Sequence, residues 1–373
     1  MHRPAGRVHD VPALLGRIRH LKMASLAAEM LLLAAWMVLQ SLWARHEDLA
    51  SANCQRALLF HALVALAAYV GILAMLALAR RTAEGRLTKD LFVPKAAALA
   101  VLEAAANALL MVAVLLIIAW PYHVLGTFGL AVTAGVAILL GLFCRLPAAM
   151  SQSRGEPGGQ ELKLQYIKDS LSRFGVSGAE VRLVPFGAEL SLAGATRRGE
   201  RPVVIMDPQL LERLSERELA VIAAHEAAHL RLGHLRRAAV ADVLLYLVMF
   251  AAAASFILPL VSSGGPWFTA FLFYLPAMAL ELRVVTLALR PVEAAISRRQ
   301  ERRANRWALQ ATGDPAAFVS AMKKAAEYLG ATKPPAWWER WFIASHPSLE
   351  EFVAQARRFA QDEGILWEEP TDG

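Results

Sequence analysis

His225-Glu226-Ala227-Ala228-His229 sets two imidazoles and a carboxylate at a spacing suited to metal-assisted hydrolysis. On an α-helix, positions i and i+4 lie on one face, so both rings can point at one ion. Glu226, one residue along, can reach a water on that ion. Two His ligands beside a Glu are what a zinc hydrolase requires: donors for Zn²⁺ and a base for the water. The cofactor this predicts is one zinc ion per chain.

Such a motif works only on a well-defined helix. Ser215 and Glu218 form an S-x-x-E capping box just ahead of it, and the pattern predicts a helix over Glu216–Leu232. Leu219, Ile222, Ala223 and Leu230 supply its apolar side. A catalytic site also wants a third protein ligand. His234, directly after Gly233, comes too early for the extended H-E-x-x-H-x-x-G-x-x-H pattern and reads as a cap or surface residue. The segment Ser297–Ala308 is a better source. Glu301 and Asn305 share one helix face there, so one could bind the metal while the other orients a ligand histidine. Taken alone, the segment also reads as an ordinary solvated, charged helix.

The elements that carry these residues are set in an apolar chain. Of 373 residues, 57% are hydrophobic and 19% charged, too apolar for an ordinary soluble domain. The net charge of +7 comes with no basic, aromatic-interleaved stripe, so nucleic acid is not an expected partner. Cys54 and Cys144 form no C-x-x-C and imply neither a zinc knuckle nor a disulfide framework.

Residues 1–22 are a basic N-terminus. Apolar runs at Met23–Trp43, Ala57–Ala79, Ala96–Trp120 and Val124–Phe143 predict a four-helix transmembrane region over 23–146. Basic segments alternate with poorly charged ones between these spans, which puts the N-terminus and everything after span four on the cytoplasmic side. Residues 147–160 are a linker, Gly- and Ser-rich at its end. Residues 161–238 form the first part of a catalytic domain. A helix is expected at Leu162–Phe174, strands at Val181–Pro185 and Pro202–Met206, and a third strand at Glu189–Leu192. Val240–Val261 and Trp267–Leu289 add two spans within 239–290, and 291–373 completes the catalytic domain. Glu281 and Arg283 read as an interfacial pair at the end of the sixth span rather than as a lining of a path to the metal.

Three segments together resemble the integral-membrane zinc metallopeptidases that include the CAAX prenyl protease and the heat-shock protease HtpX. They are Leu219–His229, Ser297-Arg298-Arg299-x-Glu301-x-x-Ala304, and His346-Pro347, and they follow the family's order, with two apolar spans between the first and second. The resemblance covers roughly 161–353. It implies a mainly α fold: polytopic membrane helices, about six spans, with a zincin-like α+β catalytic domain carrying a small sheet. It implies that Glu301 is the third zinc ligand beside His225 and His229, and that His346 stabilises the oxyanion. Three departures mark a divergent member. Asn305 stands where the family has an Asp that partners a ligand histidine. Ala188–Gly194 lacks the family's Asn ahead of the first motif. Phe352 occupies the place of an Arg after His-Pro.

The expected function is a membrane-embedded zinc endopeptidase of the inner (cytoplasmic) membrane, multi-pass, with N-terminus and catalytic domain in the cytoplasm. Glu226 takes the proton of the attacking water and passes it to the leaving amine; His346 supports the oxyanion. Glu189, Leu190, Ser191 and Leu192 would form an edge strand that takes the substrate in extended form. The expected partners are the bilayer and a membrane-associated or misfolded protein substrate. Two other classes fit parts of the chain: a zinc-binding pseudoprotease acting as scaffold or receptor, and a channel or transporter lined by the His-rich helix.

Overall fold

In the computed structural model the described residues are 161–183, 193–262, 267–329, 331–342 and 344–367, with scattered positions between 27 and 135. The expected spans one to four, the linker and the strand expected at Glu189–Leu192 therefore lie outside the described residues, apart from those scattered helical positions. The chain divides into two compact units, one made of Met1–Leu15, Arg145–Ala241 and Arg290–Gly373, the other of Gly16–Cys144 and Asp242–Leu289.

The described part of the chain is mainly helical with a small mixed sheet. Helix α1, Glu161–Arg173, leads into strand β1, Glu180–Leu183. Strands β2, Ala193–Arg198, and β3, Arg201–Met206, follow, then the short α2, Pro208–Arg213, and α3, Glu216–Arg231. The sheet order is β1-β3-β2: β1 runs parallel to β3 and β2 antiparallel to it. Central strand β3 reads Val-Val-Ile-Met from Val203, all buried, as a strand covered on both faces should. Strand β2 was not expected. Its Ala, Gly and Arg residues have little strand preference, and its place comes from pairing Ala193–Arg198 against Met206–Arg201 across a two-residue turn. Gly199, at φ +60°, provides the left-handed conformation that turn needs.

The capping box at the start of α3 forms as the sequence predicts. Ser215 Oγ accepts from the Glu218 amide, and Glu218 Oε2 accepts from the Ser215 amide at 2.7 Å. Glu218 then does more than cap. Buried at 4% exposure, it also accepts from Ser320 Oγ at 2.5 Å and from Lys324 Nζ at 2.8 Å, both on helix α6, Pro315–Leu329. The N-terminus of the motif helix is thereby tied to α6. Ile167 and Leu171 of α1, Leu219 and Ile222 of α3, Met206 of β3 and Phe318 of α6 close one apolar core around it. Helix α8, Leu349–Asp362, lays Val353 and Ala356 against this core, and Ala360 is buried on the same face.

Helix α4 runs His234–Ser262, and its segment His234–Ser255, 22 residues with few of them buried, is long and apolar enough to cross a membrane. It begins six residues before the expected fifth span. Helix α5 is a single 46-residue helix, Trp267–Thr312, which joins the expected sixth span to the second motif without a break. Thr286 Oγ1 on α5 donates to Met249 Sδ on α4 at 3.4 Å. Between α6 and α8 lies the short α7, Trp337–Phe342.

Candidate metal centre

His225 and His229 lie one turn apart on the buried face of α3, and their Nε2 atoms are 3.1 Å apart. Glu301 comes from the far half of α5. Its Oε2 is 3.3 Å from His225 Nε2 and its Oε1 3.4 Å from His229 Nε2. Three ligand atoms from residues 76 positions apart in the chain thus converge on one point, and they form the one such His/Cys/Asp/Glu cluster found among the described residues. Tetrahedral zinc with donors at about 2.0–2.2 Å sets its ligand atoms about 3.3 Å apart. The spacing and the donor set, two imidazoles and a carboxylate, both fit.

The electrostatics fit as well. Burial, with the neighbouring His225 adding to it, brings His229 down to about 3, so its ring is neutral and its lone pair free. Burial alone would lower His225 and raise Glu301, but their mutual hydrogen bond reverses both: His225 sits above the usual imidazole range and Glu301 well below the usual carboxylate range. Without metal, the pair is therefore held together by a proton that metal binding would displace. Glu226 is buried beside them at 4% exposure, and burial pushes its carboxyl up to about 7. A carboxyl near 7 can both accept and return a proton at neutral pH.

His346 also reaches the cluster. Its Nδ1 is 3.0 Å from Glu301 Oε2, and its side chain is half exposed. Two hydrogen-bonding residues on α5 bring it there. Ser297 Oγ donates to the Ser345 carbonyl at 2.9 Å, and Arg298 Nη1 donates to the carbonyls of Arg340 and Ala344 at 2.7 and 2.8 Å. Glu301's charge outweighs the effect of burial and holds His346 above the usual imidazole range, in a state able to donate.

Asn305, one turn beyond Glu301, is fully buried beside His225. Its Oδ1 and Nδ2, and His225 Nδ1, have no hydrogen-bond partner within bonding distance among the described residues. Asn305 thus lies beside His225 without a hydrogen bond to it at bonding distance. Phe352 packs edge-on against Phe318 at 6.2 Å and belongs to the core margin. Glu189, Leu190, Ser191 and Leu192 lie outside the described residues; the nearest described strand, β2, is at an edge of the sheet.

One residue was misread from sequence. His234 is not a surface residue: it is buried at 2% exposure, and its Nδ1 is 3.2 Å from Nδ1 of His229. Gly233, at φ +68°, takes the left-handed conformation that ends α3, and the side chain of His234, the first residue of α4, reaches His229 in the last turn of α3. The H-x₄-H spacing from His229 is the signal in the sequence, although it fits no ligand pattern.

A family model described as Peptidase family M48 matches residues 192–360. No curated protein matches the chain. Among solved structures, the crystal structure of S. mikatae Ste24p is similar at 17% identity and a TM-score of 0.49, over 65% of this chain and 62% of that one. The chain thus spans less than two thirds of that protein's length. The matched stretch 192–360, a little under half of the chain, holds His225, Glu226, His229, Glu301, Asn305 and His346, and it marks the chain as a zinc metalloprotease carrying a domain similar to Peptidase family M48.

Proposed function

We propose that this protein is a membrane-embedded zinc-dependent endopeptidase that cuts membrane-associated or misfolded proteins. The observation that carries the reading is the convergence of His225, His229 and Glu301 at ligand spacing with Glu226, a carboxyl near 7, buried beside them. His225 and His229 through Nε2, and Glu301 through its carboxylate, would hold one zinc ion. When bound, that ion supplies a Lewis acid for the scissile carbonyl and lowers the pKa of water towards neutrality. Glu226 accepts the proton of the attacking water and delivers it to the leaving nitrogen. His346, half exposed, donates to the oxygen of the scissile carbonyl as charge builds there. The substrate backbone pairs at the β2 edge of the sheet and at residues 189–192 before it.

The membrane part of the proposal rests on the apolar segment His234–Ser255 and on the apolar runs read in 23–146 and 267–289. About six spans in two groups, 23–146 and 239–290, would flank a catalytic domain assembled from 161–238 and 291–373. The basic loops orient that domain and the N-terminus to the cytoplasm in a bacterial-type inner membrane. A zinc-binding scaffold without catalysis is the second reading, favoured by the unclosed bond at Asn305. It leaves the buried, costly Glu226 without a task.

The deciding experiment measures zinc content and cleavage of an unfolded protein such as casein, with full-length detergent-solubilised protein. The expected result is about one zinc in wild type and in Glu226→Gln, with cleavage in wild type alone. Cleavage by Glu226→Gln, or no zinc in folded wild type, would overturn the proposal.

A further inference from the structure

Metal ligands need holding as well as donating. A histidine that coordinates through Nε2 carries its proton on Nδ1, and a hydrogen bond from that proton fixes the ring's tautomer and direction. The two histidines of this site differ in that respect. Nδ1 of His225 is buried with no partner at bonding distance among the described residues, the Asn305 amide lying beside the ring. Nδ1 of His229 has a neighbour at hydrogen-bond distance: Nδ1 of His234, 3.2 Å away. The two rings stand nearly perpendicular, at 79°, with centroids 5.0 Å apart, so they meet edge to face rather than stacking flat.

We infer that His234 is the positioning residue for His229: its Nδ1 lone pair accepts the His229 Nδ1–H and so aims Nε2 of His229 at the metal. Between two nitrogens one must give and one receive. With His229 Nε2 turned towards His225 Nε2 and Glu301 Oε1, its proton belongs on Nδ1. His234 must then present an unprotonated Nδ1 and carry its own proton on Nε2.

The second observation is the state of that Nε2. It is buried and has no hydrogen-bond partner among the described residues. A buried N–H without a partner is destabilising, and an apolar side chain of similar size would avoid the penalty. An imidazole at this place is therefore explained by what its other nitrogen does. The support is also local. His229 lies in the last turn of α3, His234 begins α4, and only four residues, with Gly233 at φ +68° among them, separate the two. No long-range packing is needed to form the contact, so it is set as soon as the two helices are.

The inference rests on the proposed zinc site, and its test separates the two. Full-length detergent-solubilised wild type is compared with His234→Phe, which fills the space but offers no acceptor, and with His234→Asn, whose Oδ1 replaces the Nδ1 acceptor. Zinc affinity is read by competition with a chromophoric chelator, and ligand geometry by the visible absorption of the cobalt-substituted proteins; thermal melting checks that each variant folds. The expected result is zinc binding weakened about 10–100-fold by His234→Phe, with an altered cobalt spectrum, and both restored towards wild type by His234→Asn. Wild-type affinity and spectrum in His234→Phe would overturn the inference while leaving the zinc site standing. Equal weakening in both variants, in step with their loss of melting temperature, would overturn it in favour of a packing role. Absence of zinc from wild type itself would remove the site and the inference with it.

Discussion

Oε2 of Glu301 stands 3.3 Å from His225 Nε2 and 3.0 Å from His346 Nδ1, so one carboxylate oxygen faces both a proposed ligand and a proposed proton donor. Residues from two helices, α3 and α5, and from the loop between α7 and α8 meet at one atom. If Glu301 is the third ligand, Glu301→Ala removes a donor that the two histidines cannot replace. Zinc per chain is expected to fall from about one to well under half at micromolar free zinc. Metal analysis after gel filtration measures it; full zinc retention in the variant would exclude Glu301 as a ligand.

His346 lies outside the donor triad and is half exposed, where a substrate would meet it. His346→Ala is expected to leave zinc content unchanged and to lower kcat about 100-fold, the order seen when one oxyanion donor is lost. Steady-state cleavage kinetics with parallel zinc analysis decide this. A loss of zinc equal to the loss of activity would mean that His346 supports the site rather than the reaction.

Asn305 invites the opposite kind of change. Its buried amide sits beside His225 with neither polar atom bonded among the described residues. Asn305→Asp would add an acceptor with charge behind His225 and tighten zinc binding by about 10-fold. The same charge stands near Glu301 and Glu226 in a buried site, so the metal-free protein should melt at a lower temperature. Melting curves with and without zinc should therefore spread further apart than in wild type.

How much of this was legible beforehand follows from where the information lies. The motif helix was legible because everything that makes it is local: Ser215 and Glu218 three apart, His225 and His229 four apart. Glu301 could not be derived from spacing, because 76 residues and two long helices separate it from His225; it came from resemblance, and the geometry then brought it to ligand distance. Strand β2 was missed because its pairing with β3, not its composition, makes it a strand. His234 was missed because burial at a helix junction depends on how Gly233 turns the chain. The merging of the sixth apolar run with the second motif in α5 was missed because the change from apolar to charged composition after Leu289 reads as the end of a span, yet one helix runs through it.

Glu218 supplies a pH-dependent stability. Burial alone would raise its carboxyl, but bonds from Lys324, Ser320 and Ser215 outweigh that and hold it below its ordinary value of 4.5. A carboxylate depressed in the folded state stabilises fully above its unfolded pKa, and that contribution is lost as pH falls through the folded value. Glu218→Gln should therefore lower stability by about 1–3 kcal/mol at pH 7. The gap to wild type should shrink once the pH drops below 4.5. Thermal melts of both proteins across pH 3.5–7 test the sign; a gap that widens in acid would refute it.

The unbroken length of α5 sets a tolerance on the whole site. Glu301 rides on the same 46-residue rod as the apolar run that ends at Leu289, twelve residues earlier, or about 18 Å along the axis. A carboxylate about 6 Å off that axis is displaced by about 2 Å when the rod twists through 20°. That displacement rivals the reach of a zinc–oxygen bond. No loop interrupts the helix between Arg290 and Glu301, so the aim of this carboxylate follows the rotation of that stretch about its own axis, as a key's bit follows its shank.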